Sequence, residues 1–446
     1  ATTGSVTISN AIDINGTASE LIAALITEST NVIASTSNII FSDTPTDSQF
    51  DSIDAVTTGT ISLPNNGTNF TVTNTAISAS NLISLNNQYS GIVDASAVTT
   101  ITGTAAEINT VYSSSGFSGL GNESVTLTDA VTLANANTIN AYTTAQVTLS
   151  SVSDTLANIT AIDALTTSEV TMASANVTVT DQVTKAQADT INTYTTAQVT
   201  LSSVSDTVAN IISLITLPTS DVTMASASIT VTDSDSSNIS AANLAAIGAA
   251  TTGSVTISNA IDINGTASEL IAALVTESTK VSVSDAAVTI NNTSTIAELN
   301  AIAAKTTGVV TATLGADSLV NLGALTTDGT DVITITVNDV DSAALAAADL
   351  STLGRKTAGT VTVNNAVAIT GSTDEVTAAL VTASTKVEVS NATITINDAN
   401  GTARSAAELS SIGAATTGSV TISNAIDING TASELIAALI TESTNV

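Results

Sequence analysis

Residues 1–32 read ATTGSVTISNAIDINGTASELIAALITESTNV, and residues 415–446 repeat them without a change. A third copy, 250–281, differs only in Val275 for Ile26 and Lys280 for Asn31. Near-identical copies of this kind point to recent duplication and to a repeat architecture, in which each unit buries the apolar face of its neighbour. Local chemistry assigns the pieces. Val6–Ser9 alternates apolar and polar residues, as a short strand does, and Ala11–Asn15 alternates again. Gly16 breaks the pattern. Thr17-Ala-Ser-Glu20 is a capping box that starts a helix, and Leu21, Ile22 and Leu25 form its apolar stripe. The alternation places Val6 and Ile8 inward and Thr7 outward.

The same box recurs at Thr104/Glu107, Thr266/Glu269, Thr295/Glu298, Ser405/Glu408 and Thr431/Glu434. A 52-residue repeat relates 138–181 to 190–233 and sets Met172 opposite Met224. A smaller unit runs along most of the chain: a short helix pattern, then Thr-Thr-Gly, then a Val-Thr strand. Marking the strand starts at Val6, Val32, Ile61, Val147, Val170, Val199, Val222, Val255, Val281 and Val310 gives steps of 23 to 33 residues where the units are clear. Short and long steps tend to alternate, which suggests pairing into 52–55-residue repeats. The expected fold class is therefore an α/β repeat protein, a solenoid of strand-strand-helix units, continuous over 1–446. Strands stack about 4.8 Å apart and helices about 8–10 Å apart. Either the solenoid curves with its helices on the convex side, or helices from alternate units lie on opposite faces, or both strands of a unit share one sheet. The alternation of short and long units favours opposite faces. Three less regular stretches, Asn38–Asp51, Pro64–Phe70 and Ser113–Glu123, read as loop insertions offering their phenylalanines for lateral contacts.

Composition narrows the function. The net charge is −32 with seven Lys and Arg in total, and no basic residue precedes Lys185. Such a surface does not seek phosphate, so nucleic acid is not a partner. There is no Cys, His or Trp, and only eight aromatic residues. A His-based nucleophile and the usual Cys/His zinc sites are excluded. Sugar-cleaving sites need aromatic platforms and cations that are scarce here, so no enzyme is expected. No apolar run is long enough to span a membrane, and no signal peptide is visible. Lys280, Lys305, Arg355, Lys356 and Lys386 stand near predicted helix C-termini, where positive charge complements the helix dipole.

Calcium is the candidate ligand. Oxygen-rich pairs recur at what read as turns: Asp13/Asn15, Asp233/Asp235, Asp262/Asn264, Asp339/Asp341, Asp398/Asn400 and Asp427/Asn429. Hard oxygen donors suit Ca²⁺. The competing reading is that Asp and Asn serve the turns themselves. Threonine pairs such as Thr230/Thr232 and Thr393/Thr395 would form an outward ladder if stacked, as in ice-binding solenoids. They also suit any solvent-facing strand.

Stretches such as ATTGSVTISNAIDINGTASEL and GTAAEINTVYSSSGFSGLGNESVTLTD resemble the giant repetitive cell-surface proteins of marine cyanobacteria, and more loosely bacterial S-layer and RTX-like solenoid adhesins. The resemblance lies in Thr/Ala/Val/Asn richness and TTG punctuation. The RTX nonapeptide is absent. The resemblance implies an extracellular structural protein that forms a filament, sheath or surface layer, assembled with calcium on a cell surface or matrix. The alternative it leaves is the stalk of a calcium-dependent adhesin. Because both outer copies are ordinary repeats, end-to-end self-association or continuation into further repeats is expected.

Overall fold

The structure, a computed structural model, describes residues 5–27, 32–64, 70–89, 91–165, 169–219, 221–276, 278 and 281–440, with the side chain of Asp47 excepted. Lys280 lies outside the described residues. Two compact units divide the chain, 1–203 with 217–224 and 204–216 with 225–446. Each is α/β, built of short strands that pair in parallel from repeat to repeat and of helices two to three turns long.

In the first unit, Ala76–Ser78, Thr100–Gly103, Ser124–Val131, Val147–Asp154 and Val170–Thr171 pair in that order. The register sets Ile77, Ile101, Val125, Val147 and Val170 opposite one another, all buried. One residue on, Ser78, Thr102, Thr126, Thr148 and Thr171 stack on the other face of the same strands. Period-two alternation thus produces an apolar column and a hydroxyl column. In the second unit the same logic runs through Asp262–Gly265, Ala287–Ser294, Val310–Leu314 and Val332–Val337, and through Ala368–Gly371, Thr393–Ile396 and Val420–Ile422.

The 32-residue copies give strand, strand, helix as read: Val255–Ile257, Asp262–Gly265, and Ala267–Leu270 running on into Ile271–Val275. All six predicted capping boxes form. At the first, the Thr17 amide donates to Glu20 Oε2 at 2.8 Å and the Glu20 amide to Thr17 Oγ1 at 3.3 Å. Four more are closed by Thr46/Gln49, Thr132/Asn135, Thr184/Gln187 and Ser372/Glu375. Gly265, ahead of its box, allows close stacking. A Cβ there would stand 2.8 Å from the Cβ of Ala241, the first residue of the preceding helix. Gly103 and Gly371 meet Ala79 and Ala347 in the same way.

Three expectations about the fold are corrected. Successive helices within a unit touch, as Ala79–Gln88 does Ala105–Ser113 and Ala241–Ala249 does Ala267–Leu270. Helices sent to opposite faces of a sheet would not. Of the three supposed loop insertions, Asn38–Asp51 is an ordinary repeat: Asn38–Phe41 is a strand, and Asp47–Asp54 a helix started by Thr46/Gln49. Residues 65–69 of the second lie outside the described residues, and Ser113–Glu123, past the helix end at Ser113, is turn apart from the short strand Phe117–Ser118. Phe41, Phe50 and Phe70 are core residues, because Asn-Ile-Ile-Phe still alternates and a ring fills the space that smaller side chains share elsewhere. Lastly, the inward register holds in the internal copy, where Val255 is 0% exposed, but Val6 is 47% exposed. Among the described residues Val6–Thr7 pairs with Val32–Ile33 alone, at the edge of its sheet.

Candidate functional site: side-chain clasps between successive repeats

Each helix start leaves amide donors without intrahelical partners. The N-cap threonine or serine takes one. At several helices the first helical residue is served from elsewhere, by a carboxylate or carboxamide about one repeat later in sequence. Asp43 Oδ1 accepts from the Ala18 amide at 2.7 Å, Asp129 from Ala105 at 2.9 Å and Asp181 from Leu156 at 2.7 Å. In the second unit Asp233 serves Val208 at 2.7 Å, Asn292 Ala267 at 2.8 Å, Asp339 Leu319 at 2.7 Å and Asp398 Thr373 at 3.1 Å. Negative charge at a helix N-terminus also complements the dipole. At these helices the clasp ties the helix start to the following repeat.

Three of the sequence-predicted pairs sit at such corners. Asp233/Asp235, Asp339/Asp341 and Asp398/Asn400 precede Ser236, Ser342 and Gly401, all with left-handed backbone at φ 59°, 64° and 75°. At each corner the first residue reaches back to a helix start. The second reaches forward: Asp235 Oδ1 accepts from Ala260 N at 3.1 Å, Asp341 from Ala366 at 3.0 Å and Asn400 from Ala425 at 3.1 Å. Asn259, Asn365 and Asn424 each donate Nδ2 to the first residue's own carbonyl, at 2.6, 2.6 and 2.7 Å. The turn reading of these Asp and Asn residues is thus what the geometry favours.

The other three pairs sit not at turns but on the second strand read for Ala11–Asn15 and its copies. Asp13 and Asn15, Asp262 and Asn264, and Asp427 and Asn429 lie on strands, because Asp-Ile-Asn alternates and sends the isoleucine inward. Asp13 Oδ1 accepts from Asn38 Nδ2 at 2.8 Å, and Asn264 Nδ2 donates to Asn238 Oδ1. Asn429 is not a turn residue but the last residue of the strand Asp427–Asn429. It pairs in parallel with Ser405, at the end of the strand Ala403–Ser405, and its side chain is exposed. Asn15 likewise faces Ile40 within a parallel pair and is exposed, instead of closing a turn. Among the described residues no group of three or more acidic side chains converges as a metal cage, beside Asn429 or at any other of the predicted donors.

A second clasp comes from the Thr-Thr-Gly motif and from its Thr-Thr-Ala form at Thr143 and Thr195. The first threonine is buried and its hydroxyl spans to the preceding repeat. Thr57, Thr143, Thr195, Thr251 and Thr416 donate to the carbonyls of Ser37, Glu123, Ala175, Ala227 and Ala392 at 2.6–2.7 Å. Each also accepts from the amide two residues on, as Thr251 does from Gly253 at 2.9 Å. The second threonine donates to another carbonyl of that repeat, Thr252 to Ala225 at 3.1 Å. Thr251→Val leaves the Ala227 carbonyl and the Gly253 amide without this partner, and is expected to cost about 1–3 kcal/mol. Thr252→Val, at an exposed site, should cost less than about 1 kcal/mol. Urea unfolding of the two variants checks the order.

Asp398 anchors the most connected corner. Its Oδ2 accepts the Thr373 hydroxyl at 2.5 Å, and its Oδ1 accepts Arg404 Nη2 at 2.5 Å and Nε at 3.1 Å. Arg404 also holds Asp374 through Nη1 at 2.7 Å and Nη2 at 3.0 Å. Burial raises the Asp398 carboxyl, but the Thr373 hydroxyl, the Arg404 guanidinium and the Thr373 amide outweigh it and leave it below the usual range. The capping carboxyls of Glu20, Glu269, Glu298 and Glu434 are held low by the amide and hydroxyl of their own N-cap threonines. A depressed folded value gives stability that is present above the unfolded carboxyl range, about pH 4, and lost as pH falls through the folded value. Burial raises Asp54, Asp163 and Asp331. Their contribution has the opposite sign and is lost as pH rises. Between about pH 5 and pH 3 the thermal midpoint should fall further in the wild type than in Asp398→Asn, which keeps an acceptor but no titrating charge. Equal falls would contradict the assignment.

Lys356 Nζ donates to the carbonyls of Gly323 and Leu325, at 2.7 and 2.6 Å, beyond the helix Leu319–Leu322, which is the dipole role read from sequence. Arg355 is the C-cap of Ala347–Gly354, and Lys386 takes a left-handed φ of 55° after the turn Ala383–Thr385. An open groove of about 740 Å³ runs along Ile296, Asn300, Val320 and Ala324; its Asp317 accepts from Ser318 N and Asn321 Nδ2, both at 2.8 Å. Among the described residues no helix is long and apolar enough to cross a membrane. Compared with known family models and with curated proteins, the chain matches none.

Proposed function

We propose that this chain is a solenoid segment of a giant extracellular structural protein, stacked with further copies of itself into a filament, sheath or surface layer. The proposal places it with the repetitive cell-surface proteins its sequence resembles. One observation carries the reading. The same sequence occurs in three settings. The internal copy buries Val255 and Ile261 completely and leaves Leu274 5% exposed. In the copy at 5–27 the equivalents Val6 and Ile12 are 47% and 45% exposed, while Leu21 is buried. In the copy at 415–440 the reverse holds: Val420 is buried, and Ile436 and Leu439 are 52% and 45% exposed. Among the described residues the first copy is exposed on its strand side and the last on its helix side, and further repeats, in the same chain or in another copy, fit both. The internal copy supplies the pattern of a repeat covered on both sides, and a second copy of the chain is the partner that matches it.

Clasps made of side chain to backbone bonds support a mechanical role, since they tie successive repeats together. Calcium enters as a counter-ion between neighbouring copies, drawn by a net charge of −32 and by the outward Asp13, Asp262 and Asp427. Immunogold electron microscopy of intact, unpermeabilised source cells tests the function. Gold should decorate a layer or filaments outside the cell, and EDTA should loosen them. Labelling that requires permeabilisation would overturn the extracellular reading.

A further inference from the structure

Four tyrosines occur in the chain, and two of them are stacked. Tyr112, on the helix Ala105–Ser113, and Tyr142, just after the helix Leu133–Asn140 of the next repeat, have ring centroids 5.0 Å apart and planes inclined by 8°. That is offset stacking at van der Waals contact. The Tyr112 hydroxyl donates to Oε2 of Glu123, a fully buried carboxylate whose two oxygens also accept from the Gly121 amide at 2.8 and 3.0 Å. The Tyr142 hydroxyl donates to Asn109 Oδ1 at 2.5 Å, one helical turn from Tyr112. A buried carboxylate is a costly way to hold a phenol. It is also a proton acceptor in place, and removal of an electron from a phenol is easier when its proton has somewhere to go.

We propose that Tyr112 and Tyr142 form an oxidative cross-linking site that joins two successive repeats through a dityrosine bond. The oxidant is a peroxide acting through a haem peroxidase or a comparable one-electron oxidant. Each phenol gives up one electron and one proton, that of Tyr112 to Glu123 and that of Tyr142 to water. The two phenoxyl radicals couple between ring carbons ortho to oxygen. The ortho hydrogens then return to the phenolic oxygens as the rings regain aromaticity. The chain loses two hydrogen atoms, and one hydrogen peroxide becomes two waters. Glu123 is a positioning residue that takes a proton; it forms no bond to the product.

The chain carries its own controls. Tyr194 occupies the position of Tyr142 in the 52-residue repeat, in TINTYTTAQV against TINAYTTAQV. Tyr89 packs against Phe70, centroids 6.0 Å apart, and so lacks a phenol partner in that contact. The inference does not depend on the proposed function, because it concerns a bond within one chain.

The test treats the purified full chain with peroxidase and hydrogen peroxide at high dilution, then digests it after Glu and Asp. Cleavage after Glu107, Glu123, Asp129 and Asp154 separates the Tyr112 peptide, 108–123, from the Tyr142 peptide, 130–154. The expected product is these two peptides joined, lighter by two hydrogens than their sum, with dityrosine fluorescence and with Tyr194 unlinked. Tyr142→Phe, which keeps the stack, should abolish it, and Glu123→Gln should slow it several-fold. Recovery of both peptides unlinked, or fluorescence arising from Tyr194 between molecules, would overturn the proposal. An unchanged rate in a folded Glu123→Gln protein would overturn the part given to the carboxylate.

Discussion

Asp398→Ala is expected to destabilise the second unit by about 3–5 kcal/mol, the cost of breaking a buried charge pair by removing one partner. The carboxylate accepts the amide and hydroxyl of Thr373 and two bonds from Arg404, which itself is 14% exposed at the side chain. Alanine removes all four at once. Arg404 keeps Asp374, but that partner is 74% exposed and screened by solvent. The helix start at Thr373 also loses its dipole complement. Asp398→Asn should cost less, since an amide oxygen still faces the Thr373 amide. Urea midpoints of the two variants measure the difference; near-equal midpoints for Asp398→Ala and the wild type would show that the corner contributes little.

The second large effect uses sequence identity as its control. Leu270 and Leu435 are the same residue of the same repeat. Leu270 is completely buried between neighbouring repeats, whereas Leu435 is only partly buried. Leu270→Ala should cost about 2–5 kcal/mol, as cavity-forming substitutions do. Leu435→Ala should cost about 1 kcal/mol in the dispersed protein, because less apolar area is lost. On assembly the cost at Leu435 should rise toward that at Leu270, since a second copy would cover it. Hydrogen exchange of the surrounding helix in dilute and concentrated samples reads both, and suits a repeat array that need not unfold in one step.

Local features were the legible ones. A capping box is closed by residues three apart, so Thr17/Glu20 and its copies could be read directly, and the alternation of Val255-Thr-Ile gave the inward face of the strand. Gln49 and Gln187 close boxes as Glu does, and reading the box with glutamate alone hid the helix after Thr46. That in turn made Asn38–Asp51 look like a loop and put Phe41 and Phe50 on the surface. The clasps were not legible as clasps. Asp233 and Asp398 look like free oxygen donors in sequence, because the amides they serve lie 25 residues away. A signal existed: Asp43, Asp129, Asp154 and Asp181 each stand one repeat after a helix start, and they were passed over because they come without a second acidic neighbour of the pair type sought. Asp427 and Asn429 erred the other way. The pair of oxygen donors drew a turn reading, although the Asp-Ile-Asn alternation marks a strand, which pairs with Ala403–Ser405 one repeat earlier. The environment of the outer copies was likewise outside what sequence carries, since Val6 and Val255 differ only in what lies beside them.

Sedimentation velocity on paired surface variants tests most directly the claim that repeats of this chain cover one another. Val6→Asp with Ile12→Asp disables one exposed face, and Ile436→Asp with Leu439→Asp disables the other. All four side chains are exposed, so neither double variant should lose its fold. At physiological ionic strength, where charge repulsion is partly screened, the wild type should show a series of oligomers that grows with concentration. Each double variant alone should remain a monomer, and an equal mixture of the two should give dimers and nothing larger. A wild type that stays monomeric at every concentration, or a double variant that still self-associates, would contradict the account.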